Sequence, residues 1–333
     1  MNHNNQNRGK TIAIAGNQST AMDVLESLLA SGYHVAYLIN VGPEKAHMIA
    51  DYCDMAGLAR AKGIELLRPP TYAMNDPGSS ALFEGLTIDM IITVGWQRLI
   101  PGWLLARLSI GAFGMHGSSE PLPRGRGRSP MNWSILEDRK HFLTNLFRYD
   151  EGVDSGMIVA TQQFDIFPWD TIRTLHHKNA LAEVQLLLKN LPALLEGRAE
   201  FTPQDSSTEP TYYPKRVPDD GVIDWHDTSE RIHRLVRAVT RPYPGAFTFA
   251  GEERVYVWEG APFDESLKFE GSKPGEIVAT FHDQSFVVRC GDISFFVDHW
   301  EGPKGWQPRV GQVFQSQTNP SWQKLEEMKQ NNL

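Results

Sequence analysis

Apolar runs of four to six residues alternate with helix-length amphipathic stretches through the first hundred residues, and this alternation narrows the fold more than any other feature. Thr11-Ile-Ala-Ile-Ala15 has the pattern of a buried strand, followed by the loop Gly16-Asn-Gln-Ser-Thr20. Ala21 to Ser31 places Met22, Leu25, Leu28 and Leu29 on one helical face, and Gly32 supplies a C-terminal stop. His34 to Ile39 reads as a strand, Ala46 to Lys62 as a second helix ended by Gly63, and Ile64 to Leu67 as a third strand. Asp89-Met-Ile-Ile-Thr-Val94 is apolar on both faces, as central parallel strands are. Strand and helix in alternation imply an α/β fold with a Rossmann-like, doubly wound, mostly parallel sheet. In such sheets ligands bind off the carboxyl ends of the strands. Gly16–Thr20, Gly95–Arg98 and Gly114–Gly117 all fall at such ends.

The pattern changes in the second half. Leu143–Tyr149 and Met157–Phe164 read as strands flanking a polar elbow, Asp150-Glu-Gly-Val-Asp154-Ser-Gly156, and Thr171 to Leu194 as a long helix. Thr202-Pro-Gln-Asp-Ser-Ser-Thr-Glu-Pro210 has linker composition. Beyond it Arg231–Val239 reads as a helix, and residues 246–300 as several short strands of a small β-barrel or meander. The expected division is a site-bearing domain over 1–200, a linker over 201–220 and a smaller β domain over 221–333.

Composition removes several classes of function. The two cysteines, Cys53 and Cys290, are far apart and have no metal-ligand neighbours in sequence, which argues against a disulfide scaffold or a zinc ribbon. The polar residues Met1 to Lys10 hold no signal peptide, and no apolar run nears the roughly 20 residues that span a bilayer. A cytoplasmic protein without a membrane partner is expected. Residues 201–333 carry 14 basic against 20 acidic side chains, most of the net charge of −8. Nucleic-acid-binding modules are locally basic, so that half is a poor match for one.

Chemistry concentrates in Gly111-Ala-Phe-Gly-Met-His116-Gly-Ser-Ser-Glu-Pro-Leu-Pro-Arg-Gly-Arg-Gly-Arg-Ser-Pro130. Gly114 and Gly117 let the backbone around His116 come close to a ligand. Asp154 follows in the Gly-flanked elbow, and a carboxylate beside a histidine fixes its tautomer. We expect His116 and Asp154 to meet in one cleft. Arg124, Arg126 and Arg128 alternate with glycines and suit a phosphate or carboxylate; a solvated charged face is the other reading. Backbone N–H groups of the Gly16, Asn17 and Ser19 loop, at a helix start, could hold a phosphate, or the loop is a plain strand-to-helix turn. Ser129-Pro130 fits a helix start.

These motifs resemble the N10-formyltetrahydrofolate-dependent formyltransferases, whose signature is Asn-x-His, a Ser-Leu-Leu-Pro-x-x-Arg-Gly-x-Ala-Pro loop and a later Asp-x-Gly. The chain has Gly114-Met-His116, Ser118 to Pro130, and Asp154-Ser-Gly156. Arg126-Gly-Arg-Ser-Pro-Met-Asn-Trp133 is most similar to the sugar-nucleotide N-formyltransferases. Thr211-Tyr-Tyr-Pro-Lys215, Ile223-Asp-Trp225 and Arg237 to Phe247 resemble the family's linker and the start of its OB-like C-terminal domain.

The resemblance implies formyl transfer from N10-formyltetrahydrofolate to a primary amine, without a metal. The implied acceptor is a nucleotide-linked amino sugar, of the kind used in polysaccharide or lipopolysaccharide synthesis. Implied catalytic residues are His116 and Asp154. Val94, Gly95, Trp96, Arg98, Leu99, Ile100, Asp150, Gly152 and Val153 would hold the folate. Gly16, Asn17, Ser19, Arg124, Arg126, Arg128, Tyr212 and Lys215 would face the acceptor. Gly114 stands where the family has Asn, a donor whose loss costs about 10²–10³ in rate. Methionyl-tRNA formyltransferase, with tRNA as partner, and a folate- or nucleotide-binding homologue without catalysis remain the alternatives. A homodimer is one assembly open to the chain.

Overall fold

Strands with apolar layers on both sides must lie in the middle of a sheet. The structure, a computed structural model, describes residues 6–49 and 51–330. β1 (Ile12–Gly16) leads through α1 (Ser19–Ala30) to β2 (Val35–Ile39), α2 (Ala56–Lys62), β3 (Glu65–Leu67), α3 (Pro77–Leu82), β4 (Met90–Val94), α4 (Gly102–Leu105) and β5 (Gly111–Ser118). Then come the two-residue β6 (Arg126–Gly127), α5 (Pro130–Leu136), the hairpin β7 (His141–Arg148) and β8 (Ile158–Asp165), and α6 (Ile172–Leu195). The sheet order is β3-β2-β1-β4-β5-β7-β8. Its first five strands are parallel, and β7 and β8 are antiparallel. This is the expected Rossmann-like, mostly parallel sheet. Its order reverses between β1 and β4, the place where such sheets open a crevice.

Alternation along the strands builds two cores. Ile12, Ile14, Met90, Ile92 and Val94 face α1 (Val24, Leu25, Leu28) and α6 (Leu186, Leu187, Leu191). Ala13, Ala15, Ile91 and Ala112 face Phe83 and Leu104 on the other side. Each fully buried Leu or Ile contributes roughly 1.5–3 kcal/mol relative to exposure, so a slip of one residue in any central strand is strongly disfavoured.

The helix expected over Ala46–Lys62 is corrected. The described part is a 3₁₀ turn, Pro43–Met48, and the single α2 from Ala56. Between them Asp51 has φ +59°, Tyr52 pairs with Gln18, and the Cys53 N–H donates to the Asn17 carbonyl at 2.8 Å. Long-range bonds to the β1–α1 loop outbid the local helical period.

One buried group in α6 sets a pH dependence. Glu183 Oε1 accepts from Asn179 Nδ2 at 2.8 Å, Asn179 Oδ1 accepts from Thr144 Oγ1 at 2.7 Å, and Glu183 Oε2 has no hydrogen-bond partner among the described residues. Burial pushes the carboxyl from 4.5 up to about 7 against the opposing Asn179 hydrogen bond, with the nearby Asp23 adding to the rise. The unfolded chain releases this proton near 4.5, the folded chain near 7. Stability is therefore undiminished below pH 4.5, falls between 4.5 and 7, and stays lower above, by about 3 kcal/mol. Glu183→Gln is expected to raise the Tm at pH 8 and leave it nearly unchanged at pH 5. Melting curves displaced equally at both pH values would show that Glu183 ionises normally.

Contacts divide the chain into two units that interleave: 1–127, 141–165 and 176–210 in one, 128–140, 166–175 and 211–333 in the other. Within the second, α5 is tied to the C-terminal residues. Asn132 Nδ2 donates to the Ala238 carbonyl and Trp133 Nε1 to that of Pro214, and the Trp133 and Tyr213 rings stack. This unit also contains β9 (Tyr212–Tyr213), α7 (Ser229–Val239), β10 (Ala246–Ala250), β11 (Glu253–Pro262), β12 (Ile277–Thr280), β13 (Phe286–Arg289), β14 (Ser294–Glu301) and α8 (Pro320–Gln330). The antiparallel order is β10-β11-β14-β13-β12. Residues 313–315 bridge Glu276 beside β12 and Phe249 in β10, which joins the two sheet edges over Trp225, Phe286 and Phe295. Among the described residues no helix is long and apolar enough to cross a membrane.

Candidate active site

His116 lies near the end of β5, opposite Asn145 of β7. Alternation puts its side chain on the same face as that of Ala112, with Gly114 between them. Asn145 Nδ2 donates to the His116 carbonyl at 3.2 Å, and Asn145 Oδ1 accepts from Thr161 Oγ1 at 2.7 Å. The His116 carbonyl is thus held by Asn145, whose amide is fixed in turn by Thr161. The ring is held as well. Nε2 lies 2.9 Å from the Gly125 carbonyl, and Nδ1 lies 3.5 Å from Asp154 Oδ2. A carbonyl only accepts, so Nε2 carries a hydrogen, and Nδ1 is the nitrogen on the carboxylate side.

Asp154 reaches this place because the elbow folds tightly. Asp150 Oδ1 accepts from the Gly152 N–H at 2.9 Å and from Ser155 Oγ at 2.6 Å. Asp154 itself adopts φ +51°, which short polar side chains tolerate better than most. A Cβ on Gly156 would fall 1.6 Å from the Arg148 carbonyl oxygen, so only glycine closes the turn. Asp154 Oδ2 also accepts from the Gly127 N–H at 3.1 Å.

Two residues beyond those expected complete the setting. Gln204 Nε2 donates to the carbonyls of Asp154 (2.7 Å) and Gly156 (2.9 Å), and its Oε1 accepts from Arg126 Nη2 (2.5 Å). The segment containing Gln204 has linker composition, and no local signal marks the residue. Arg126, expected to face an acceptor, is 8% exposed, and its Nη2 donates to Gln204 Oε1. Gln204→Ala is therefore expected to lower kcat about tenfold with little change in KM, because a displacement near 1 Å at a catalytic group is enough to cost one or two decades. A kcat within twofold of wild type would make the brace irrelevant. The second residue is Tyr149, whose ring covers Gly114: a Cβ there would meet Tyr149 Cε2 at 2.1 Å and Thr93 Oγ1 at 2.5 Å.

The other expected residues fall into three groups. At the end of β4, Val94, Trp96 and Ile100 are buried, Gly95 has φ +63°, and Arg98 and Leu99 are exposed. The Trp96 ring meets Tyr72 edge-on at 5.1 Å, the Arg98 guanidinium lies over Tyr72, and Trp96 Nε1 has no hydrogen-bond partner among the described residues. Asp150, Gly152 and Val153 form the exposed side of the elbow.

In the β1–α1 loop, Gly16 packs against the Val94 carbonyl, and the buried Asn17 spends Oδ1 on Asn40 Nδ2 and the Val41 N–H. The Ser19 N–H and hydroxyl both donate to Asp51, so a carboxylate already sits where an anion was expected. Arg124 is exposed in the first unit. Arg128, Tyr212 and Lys215 belong to the second unit.

The family model described as formyl transferase matches residues 10–191, and that described as formyl transferase, C-terminal domain, matches residues 216–308. Among solved structures the chain is similar to HypX from Aquifex aeolicus, with TM-score 0.64, 19% identity, and coverage of 91% of this chain and 46% of that one. HypX has also been solved in complex with tetrahydrofolic acid. The chain thus spans about half the length of this relative. It is also similar to WlaRD, a sugar 3N-formyl transferase solved in the presence of dTDP and 5-N-formyl-THF (TM-score 0.61, 17% identity, 87% and 97% coverage). A third is the N-formyltransferase from Helicobacter canadensis in complex with folinic acid and dTDP-3-aminofucose (0.60, 18%, 87% and 99%). At these identities the likeness is one of fold.

Proposed function

The chain belongs to the formyl transferase family, and from that premise we propose that it moves a formyl group from N10-formyltetrahydrofolate to the primary amine of a nucleotide-linked sugar. The observation that carries the reading is the approach of His116 Nδ1 to Asp154 Oδ2 at the end of β5, inside the segment that the family model matches. Two unrelated stretches of sequence supply that pair, and an imidazole beside a carboxylate is suited to moving a proton between nitrogens.

The amine nitrogen attacks the formyl carbon, and the carbonyl becomes a tetrahedral oxyanion. The bond from that carbon to N10 then breaks, N10 gains a proton and the amine loses one. His116 Nδ1 takes the proton from the attacking nitrogen, directly or through water, and the imidazolium so formed faces the Asp154 carboxylate. The Gly125 carbonyl keeps Nε2 protonated and the ring in that orientation throughout. The pterin of the donor would lie against the β4 end, beside Gly95 and the exposed Arg98 and Leu99. The elbow at 150–154 would bound it on the other side. No metal takes part in this scheme.

The choice of an amino-sugar acceptor is supported by the Arg126 to Trp133 motif, by the acidity of residues 201–333, and by two structural neighbours, a sugar 3N-formyl transferase and an N-formyltransferase in complex with dTDP-3-aminofucose. The test is incubation with N10-formyltetrahydrofolate and a panel of dTDP- and UDP-linked amino sugars, read by tetrahydrofolate release and by mass spectrometry of the sugar. A formylated sugar nucleotide is the expected product. Tetrahydrofolate release with every amino sugar left intact would overturn the acceptor, and formylation of methionyl-tRNA in its place would assign the other one.

A further inference from the structure

Hydrogen-bond donors around His116 are mostly engaged. Nε2 of His116 faces the Gly125 carbonyl, Asn145 Nδ2 the His116 carbonyl, and the Gly127 N–H the Asp154 carboxylate. The reaction proposed above builds negative charge on the formyl oxygen, and a site that stabilises it needs a proton donor able to turn toward that oxygen.

Gly114 shows where one comes from. Its φ is not positive, so the backbone does not demand glycine; the space does. Tyr149 Cε2 and Cζ would lie 2.1 and 2.8 Å from a Cβ at this position, and Thr93 Oγ1 2.5 Å. The ring therefore lies directly on the β5 backbone, one side-chain step before His116 on the same face, about 6.6 Å along the strand. Its Cζ end is directed at the pair Thr93–Gly114, which are register partners between β4 and β5. The phenol hydrogen-bonds the Thr93 side chain, whose Oγ1 is 3.3 Å from the Phe113 carbonyl.

We propose that the Tyr149 hydroxyl is a catalytic hydrogen-bond donor to the formyl oxygen, admitted to that position by the absence of a side chain at Gly114. The inference rests on formyl transfer at the His116–Asp154 corner. Burial, reinforced by the charge of Asp154 and by Tyr72 and opposed by the Thr93 hydrogen bond, pushes the phenol up to about 12. The group thus stays protonated across the working pH range and acts as a donor, never as a base. Its hydrogen rotates about the Cζ–O bond, so the bond to Thr93 can be exchanged for one to the oxyanion. No proton leaves the tyrosine; His116 handles the proton from the amine.

Tyr149→Phe keeps the ring on Gly114 and deletes only the oxygen. With N10-formyltetrahydrofolate and the amino-sugar panel, and with water as the acceptor in a hydrolysis assay, kcat is expected to fall about 10²–10³-fold. Binding of 5-formyltetrahydrofolate, measured by calorimetry, should change less than twofold, and the Tm should stay within a few degrees. Gly114→Ala should displace the ring and cost a similar factor, and the double variant should be no worse than either single one, since both act on one donor. Wild-type protein that releases tetrahydrofolate with no acceptor, water included, would sink the reading of formyl transfer and this inference with it. An active wild type with kcat of Tyr149→Phe within twofold would leave formyl transfer standing and overturn the tyrosine alone. A raised KM or weakened folate binding with kcat intact would also overturn it, by making Tyr149 a wall of the pocket.

Discussion

His116→Ala is expected to lower kcat for formyl transfer by about 10³-fold while folate affinity and fold are nearly retained. The imidazole is the group whose two nitrogens are both assigned, Nε2 to the Gly125 carbonyl and Nδ1 toward Asp154. Removing it leaves the amine without a base and leaves Asp154 Oδ2 with the Gly127 N–H. The strand survives because the Asn145 amide holds the backbone carbonyl of residue 116, not its side chain. Free imidazole added to the variant should restore part of the rate, which a mere loss of folding would not allow. The measurement is single-turnover kinetics with saturating donor, with and without imidazole. A variant that turns over at the wild-type rate would remove His116 from the chemistry.

What the sequence disclosed follows from how far each signal travels along the chain. β1 and β4 were legible because a strand buried on both faces must be apolar throughout, a demand that five residues satisfy by themselves. His116 and Asp154 were legible one at a time, each flagged by the glycines beside it. Their meeting required only that two strand ends point the same way, and the structure brings Nδ1 and Oδ2 to 3.5 Å.

The failures involve partners distant in sequence. The period Ile49, Tyr52, Met55, Ala59 is helical on paper, yet Cys53 is drawn to Asn17 and Tyr52 to Gln18. Gln204 braces Asp154 from fifty residues away, within a stretch whose composition announces only a linker. Gly114 could be read as a missing Asn or as a place where the backbone comes close to a ligand; that the space over it is filled by the ring of Tyr149 depends on a residue 35 positions later, at the end of β7. Arg126 shows the same dependence on a distant partner: its Gly-rich loop was legible, but the bond from its Nη2 to Gln204 was not.

Asp154→Asn separates the charge of that residue from its shape, and a loss of about 10³–10⁴ in kcat is expected from the charge alone. Asparagine tolerates the left-handed conformation that residue 154 adopts at φ +51°, and its amide oxygen can still accept from the Gly127 N–H. Gln204 continues to hold the carbonyls of residues 154 and 156, so the elbow keeps its course and the Tm should move by only a few degrees. What disappears is the anion facing the His116 ring. The imidazolium that forms when Nδ1 takes the amine's proton then has a neutral amide beside it, and if the amide turns its NH₂ toward Nδ1 the lone pair is occupied before the amine arrives. Asp154→Glu should fall between the two, since the charge is kept but displaced. The discriminating measurement is kcat for the three proteins alongside their melting temperatures. Should Asp154→Asn keep wild-type kcat with an unchanged Tm, the carboxylate would be only a turn former, and the proton would have to move without an anion beside it.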